Sequence, residues 1–341
     1  MALINGTAWN DILYGTASAD TIQAQGGDDT VYAGAGGDYV SGGTGSDYLY
    51  GEDGNDDLRG GSENDFLMGG YGADYMYGDD GNDYIVSGVG SSWDGLVDTI
   101  YGGAGIDIWE VDFSGYGAAI NIAIPASSAT IVYTPYANFT GIEVLAIGGS
   151  SYNDLIYGGA YGDLMYGWYG DDGLTGGGGD DQLYGEYGAD SLLGNDGADT
   201  LYGGDGGDYL IGENGNDHLY GEAGADTMQG INGADQMWGG VGNDVYLYYS
   251  LADSSVASGG RDRINDFAAG DVIDLSMLDA NSSVAGNQAF AFAAGAAANS
   301  VWAVTAGGVT SVFADVDGNA TADFQIDLTN GYAAGAADFI L

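Results

Sequence analysis

The chain has 341 residues, of which 51 are acidic, three are arginine (Arg59, Arg261, Arg263) and none is lysine, giving a formal net charge of −48. That balance argues against nucleic acid, whose phosphates want a basic surface, and against an anionic membrane. Cysteine is absent, so disulfide frameworks and thiolate metal sites are excluded, and no apolar run reaches the ~20 residues of a membrane-spanning helix.

The first residues, MALINGTAWND, carry neither a basic nor an apolar stretch of the kind found in a cleaved secretory leader. From Gly6 a nine-residue period takes over. Aspartate recurs at Asp11, Asp20, Asp29, Asp38, Asp47, Asp56, Asp65, Asp74 and Asp83, and again without a slip from Asp154 to Asp244. Each Asp sits in a unit G-G-x-G-x-D-x-U-x, where U is a large apolar residue; Gly42–Tyr50 (GGTGSDYLY) and Gly203–Ile211 (GGDGGDYLI) are clean copies. No polar residue interrupts the U column from Leu13 to Ile85 or from Ile156 to Met237.

The spacing predicts a glycine-rich turn followed by a three-residue strand with U pointing inward. Two nonamers then close one coil, so the fold class is all-β: a parallel β-solenoid with two sheets face to face. One large apolar side chain per strand, at ~25 cal/mol per Å² buried, does not easily offset the ordering entropy of so many glycines. The turns offer the missing free energy, since consecutive coils bring Asp carboxylates and backbone carbonyls together. Such hard oxygen donors suit Ca²⁺ rather than zinc or copper. The bland alternative is an Asp that closes an Asx-turn and needs no metal.

Residues 1–86 hold nine contiguous units, the first two poor in glycine, and residues 87–101 an insertion before Gly102–Glu110 (GGAGIDIWE) resumes the pattern. Residues 111–148 break it, with strand-like stretches at Ala119–Ile124 and Ala129–Tyr133. They read as longer β-coils, with a flexible hinge as the alternative. Residues 149–247 are eleven regular units. The expected domains are therefore 1–110 and 149–247 as two β-roll blocks, 111–148 as a connector, and 248–341 as a β-rich cap over the open coil end. In the cap, Asp315, Asp317, Asn319 and Asp323 (D-x-D-G-N-x-x-x-D) form either one more calcium loop or a polar hairpin turn.

The nonamer resembles the RTX calcium-binding repeat of secreted bacterial proteins. RDRINDFAAGDVIDLS (Arg261–Ser276) and DVDGNATADFQIDL (Asp315–Leu328) resemble the region that follows the β-roll in serralysin-type metalloproteases and alginate-epimerase R-modules. Asp338-Phe339-Ile340-Leu341 looks like the terminus of type I (ABC transporter) export substrates. The resemblance implies multiple calcium ions held by Asp29, Asp38, Asp47, Asp56, Asp65, Asp74, Asp83 and Asp107 in the first half. In the second half it implies Asp163, Asp172, Asp181, Asp190, Asp199, Asp208, Asp217, Asp226, Asp235 and Asp244. Each ion would bridge an Asp and the Asp two units later, as in Asp38 with Asp56, Asp190 with Asp208 and Asp199 with Asp217. It also implies export unfolded and folding outside the cell. Asp53, Asp80, Asp196 and Asp205 are either outer ligands or solvated charge.

Residues 18 apart stack on one sheet, so Tyr166, Tyr184, Tyr202, Tyr220 and Trp238 form an aromatic column. Tyr14, Tyr32 and Tyr50 form another, with Tyr48, Phe66 and Tyr84 on the same sheet. These columns are either ladder packing or an exposed strip for glycans or a second copy. Catalysis is not expected. There is no H-E-x-x-H or G-x-S-x-G, the single histidine, His218, reads as an ordinary surface residue, and basic groups are nearly absent. The expected role is a secreted, extracellular or cell-surface calcium-binding protein, structural or self-associating. Alternatives are a polysaccharide-binding adhesin and, further off, a pore-forming toxin or a carboxylate-based glycan-active enzyme.

Overall fold

The computed structural model describes residues 1–87, 97–124, 132–133, 137–257, 259–280 and 288–341. The chain divides into two units, Met1–Met165 and Tyr166–Leu341, and no α-helix occurs among the described residues.

In the first unit, alternate strands go to alternate sheets. Leu3–Asn5, Thr21–Gly26, Tyr39–Thr44, Asp57–Ser62, Tyr75–Asp80, Asp98–Ala104 and Ala137–Thr140 line up in parallel on one side, and Val132–Tyr133 closes that sheet antiparallel. Ile12–Thr16, Thr30–Gly34, Tyr48–Asp53, Phe66–Tyr71, Tyr84–Val86, Ile108–Asp112 and Val144–Gly148 line up on the other. The register is 18 residues wherever the repeat is regular, as in Val31 against Leu49 and Leu49 against Leu67. Insertions change the spacing but not the stacking. Ile100 pairs with Met76 and Trp109 with Ile85, each 24 residues on, and Leu145 pairs with Trp109. Residues 88–96 of the inserted segment, and residues 129–131 of the strand expected at Ala129–Tyr133, lie outside the described residues.

In the second unit one sheet carries Gln182–Tyr187, Thr200–Gly206, His218–Gly224, Gln236–Trp238, Arg263–Ile264 and Phe324–Leu328 in parallel. The other carries Gly173–Gly178, Ser191–Asp196, Tyr209–Asn214, Thr227–Asn232, Val245–Leu247, Val272–Asp274 and Phe339–Ile340. Ser300–Ala306, Val309–Ala314 and Phe324–Leu328 form an antiparallel meander. Phe324–Leu328 and Phe339–Ile340 each cover the last strand of a sheet, where an open coil would otherwise expose unpaired amides.

The strands are longer than the repeat suggests. A typical one such as Tyr39–Thr44 takes the last three residues of one nonamer and the first three of the next. Only three residues remain for the turn. Along each strand two positions face the interior: the U residue, at most 1% exposed from Ile22 onward in the regular units, and the first glycine of the next nonamer, which puts no side chain there. The second glycine position has positive φ from Gln25 to Asp79 and from Trp168 to Gly240, whether held by Gly43 (115°) or by Glu52 (72°), Glu186 (74°) and Glu213 (78°). There the chain bends out of the strand toward the turn.

Candidate metal centre

Each turn ends on the Asp of the period. All eighteen Asp residues picked out above, from Asp29 to Asp244, are buried, none more than 3% exposed. The backbone N–H of one Asp donates to Oδ1 of the Asp one coil later. Asp38 donates to Asp56 at 2.7 Å, Asp190 to Asp208 at 2.8 Å and Asp199 to Asp217 at 2.9 Å. The expected partners thus meet.

This link uses one carboxylate oxygen and leaves the other. In Asp29, Asp38, Asp47, Asp56, Asp65, Asp83 and Asp107 the Oδ2 is buried without a hydrogen-bond donor. The same holds for Asp190, Asp199, Asp208, Asp217, Asp226, Asp235 and Asp244. A buried carboxylate oxygen with no donor costs several kcal/mol unless it is protonated or bound to a cation. Burial accordingly pushes the carboxyl of Asp65 up to about 8, and those of Asp56, Asp107, Asp217 and Asp226 to about 7, although the accepted amide pulls the other way. Asp163 differs: its two oxygens take the N–H groups of Leu145 at 2.6 Å and Gly159 at 2.8 Å.

The first glycine of the nonamer makes room for that Oδ2. Gly203 is not in the left-handed region, yet a Cβ on it would run into Oδ2 of Asp208 and press on the carbonyl oxygen of Gly221, one coil on. Gly42, Gly185 and Gly221 stand in the same relation to Asp47, Asp190 and Asp226. The donors beside the Oδ2 are therefore oxygens, carboxylate and carbonyl, as a calcium site requires.

Beyond the nine-residue runs, three Asp residues join the same ladder. The Asp74 amide donates to Asp98, that of Asp235 to Asp262 and that of Asp244 to Asp271, at spacings of 24, 27 and 27 residues. Their glycines are missing or displaced, but the D-x-U-x half of the unit survives in Asp98-Thr-Ile100-Tyr, Asp262-Arg-Ile264-Asn and Asp271-Val-Ile273-Asp. That tetrad was the readable signal.

Asp53, Asp80, Asp196 and Asp205 lie exposed on the rims. A cluster in the cap brings carboxylate oxygens of Asp315, Asp317 and Asp323 within 4.8 Å of one another. Asp315 is already served by the amides of Asn299, Gly318 and Thr321, and Asp323 by that of Val316, as in a self-closed turn. His218 lies half-buried, edge-on to Trp238 at 6.0 Å. The aromatic column of the second unit stacks without a gap, Tyr166, Tyr184, Tyr202, Tyr220 and Trp238 lying 4.5–4.8 Å apart and nearly parallel. Tyr14, Tyr32 and Tyr50 stack at 5.4 and 5.0 Å. Among the described residues no helix is long and apolar enough to cross a membrane.

The sequence pattern of the Peptidase M10 serralysin C-terminal family matches residues 68–341, and the RTX calcium-binding nonapeptide repeat matches residues 5–40 and 32–67. Neither match is to a catalytic peptidase domain. Among solved structures, the solution structure of the AlgE6R3 subunit from the Azotobacter vinelandii mannuronan C5-epimerase is similar at 30% identity. The alignment covers 43% of this chain and 80% of that one, with a TM-score of 0.34. No curated protein matches the chain. With buried carboxylates on successive coils and both patterns matched across them, the chain belongs to the serralysin C-terminal family and is a calcium-binding protein of the RTX type.

Proposed function

We propose that this is a secreted, non-catalytic β-roll protein that folds on meeting Ca²⁺ outside the cell and acts there as a structural or self-associating surface component. The observation that carries the reading is the row of buried Oδ2 atoms without donors. With the ladder Asp residues from Asp29 to Asp244 as ligands, beside the turn carbonyls, metal binding becomes folding free energy. The bound cation supplies charge neutralisation. The residues themselves set the 18-residue register through Oδ1, keep Oδ2 dry, and leave room for it at the first glycine. The division into two roll blocks (1–110 and 149–247), a connector (111–148) and a cap (248–341) goes with this reading.

Export through a type I transporter fits the same scheme. Phe339 is buried, stacks on Phe292 at 5.4 Å, and pairs with Ile273 in the folded chain. A transporter that reads the Asp338–Leu341 segment would have to read it before Phe339 is buried.

Self-association is favoured over glycan stacking by the tyrosine column. Its ring faces are spent on one another at 4.5–4.8 Å, so edges and hydroxyls are what remain for a partner. The second reading, polysaccharide binding, draws on a shallow groove lined by Tyr184, Tyr202, Glu186 and Glu222. Sedimentation velocity from chelator to millimolar Ca²⁺ tests the proposal. An expanded chain should compact and then assemble. A chain already compact in chelator overturns calcium-driven folding, and a compact monomer that binds a neutral glycan moves the reading to the groove.

A further inference from the structure

Four residues before each Asp of the period stands the second position of the nonamer, and its backbone takes one of two forms. Before Asp29, Asp56, Asp190, Asp217 and Asp235 the position is held by Gln25, Glu52, Glu186, Glu213 and Ile231, with φ of 80°, 72°, 74°, 78° and 78°. In each of these turns the Asp Oδ2 is buried without a donor. Before Asp11, Asp20, Asp154 and Asp163 it is held by Thr7, Thr16, Ser150 and Gly159, none of them in the left-handed region. There the amide of that residue donates to the carboxylate itself. It reaches Oδ2 of Asp11 at 2.6 Å, of Asp20 at 2.8 Å, of Asp154 at 2.6 Å and of Asp163 at 2.8 Å. Positive φ goes with an open oxygen, and its absence with a closed one.

A hydroxyl reinforces the closed form in three of these turns. Thr7 and Thr16 donate to the same Oδ2 at 2.8 and 2.7 Å, and Ser150 donates to Oδ1 of Asp154 at 2.9 Å. Donors from the turn itself then do for the carboxylate what a cation would do elsewhere, and no oxygen is left unserved. Branching at Cβ is not what selects this form. Ile231 is as branched as threonine, yet it keeps positive φ and the Oδ2 of Asp235 stays open. What Ile231 lacks is the hydroxyl. In the regular units no serine or threonine occupies this position before an Asp whose Oδ2 is without a donor.

We propose that the residue four before the Asp decides whether a turn takes an ion: serine or threonine closes the carboxylate from within, and a residue held at positive φ leaves an oxygen for Ca²⁺. The proposal rests on the calcium reading above and assigns, within it, which turns need no metal. Asp163, one of the ligands that the resemblance implied, falls among the metal-free turns, closed by the Gly159 amide without a hydroxyl. Asp11 and Asp20 belong to one coil, and Asp154 and Asp163 to another. Each nine-residue run therefore opens with a coil whose carboxylates are satisfied by the chain, and its ion-dependent turns begin behind that coil.

Native mass spectrometry of the full chain at saturating Ca²⁺ tests this with two variants of one regular turn. Glu213→Thr places a hydroxyl four residues before Asp217 and should bind one ion fewer than the wild type. Glu213→Val has the same shape without the hydroxyl, as Ile231 has one coil on, and should keep the wild-type count. Equal counts in the two variants overturn the proposal, whether both lose the ion or both keep it. If Glu213→Thr fails to fold at saturating calcium by circular dichroism, the reverse change decides. Thr16→Gly removes the hydroxyl and permits positive φ, so one ion more than the wild type supports the proposal and an unchanged count overturns it. A wild type that binds no calcium would sink the underlying calcium reading, and this assignment with it.

Discussion

Gly203 and Gly204 are adjacent, and the structure reverses the usual expectation for them. Gly204 has φ of 110° and Gly203 does not, so conformational reasoning alone marks Gly204 as the sensitive position. Yet its neighbours in the same column, Glu186 and Glu222, carry side chains at φ of 74° and 71°. A Cβ on Gly204 would press on the Glu186 carbonyl oxygen, but Gly204→Ala can relieve that contact by moving to the φ its column neighbours adopt, at a cost of about 1–2 kcal/mol. Gly203→Ala keeps its backbone but drives a methyl into Oδ2 of Asp208 and the Gly221 carbonyl. Overpacking of that kind costs about 1–3 kcal/mol. An ion lost with it removes about 2.7 kcal/mol more at a hundredfold excess of calcium over Kd. The sum is about 4–6 kcal/mol. Urea unfolding at saturating Ca²⁺ gives both values, and native mass spectrometry gives the ion count, which should fall by one only in Gly203→Ala. Equal stabilities with equal ion counts would refute the claim that the first glycine exists to make room for the carboxylate.

Without metal, burial holds the carboxyls of Asp56, Asp65, Asp107, Asp217 and Asp226 at about 7–8 in the folded chain, well above the ordinary carboxylate range. Their contribution to stability is therefore present at low pH and lost as pH rises through 7–8. Metal-free protein should gain β-structure by circular dichroism on acidification from pH 8 to about 5, while calcium-loaded protein, whose ligands must be deprotonated, should lose it. A metal-free chain insensitive to pH would contradict the buried-oxygen argument. Leu201→Ala empties an interior position that is 0% exposed and should cost about 2–5 kcal/mol in the same urea assay at saturating calcium. Tyr202→Ser opens the middle of the stacked column; calcium-induced assemblies should shrink in sedimentation while the monomer still compacts, and undiminished assembly would remove the column as an interface.

Much of the architecture was legible in the chain itself, for a physical reason. A repeat presents the same local chemistry to the same neighbour, so the order of the strands from Thr21–Gly26 to Tyr75–Asp80 (though not their six-residue length), their 18-residue register, the inward U residues and the pairing of Asp38 with Asp56 follow from the period. The exposed acids Asp196 and Asp205 and the stacked Tyr184 and Tyr202 fall where the alternation of a strand puts them. What only the tertiary structure decided lies where sequence phase and spatial position part. Asp253 keeps the nine-residue phase but leaves the ladder, because the residue two positions on is Ser255, with nothing apolar to place inside. Asp98, Asp262 and Asp271 enter at altered spacing because Ile100, Ile264 and Ile273 fill the interior, each 0% exposed. The first glycine read as turn flexibility and proved to be room for an oxygen. Local pattern sets which residues can join a coil, but the apolar side chain that reaches the core selects which of them do.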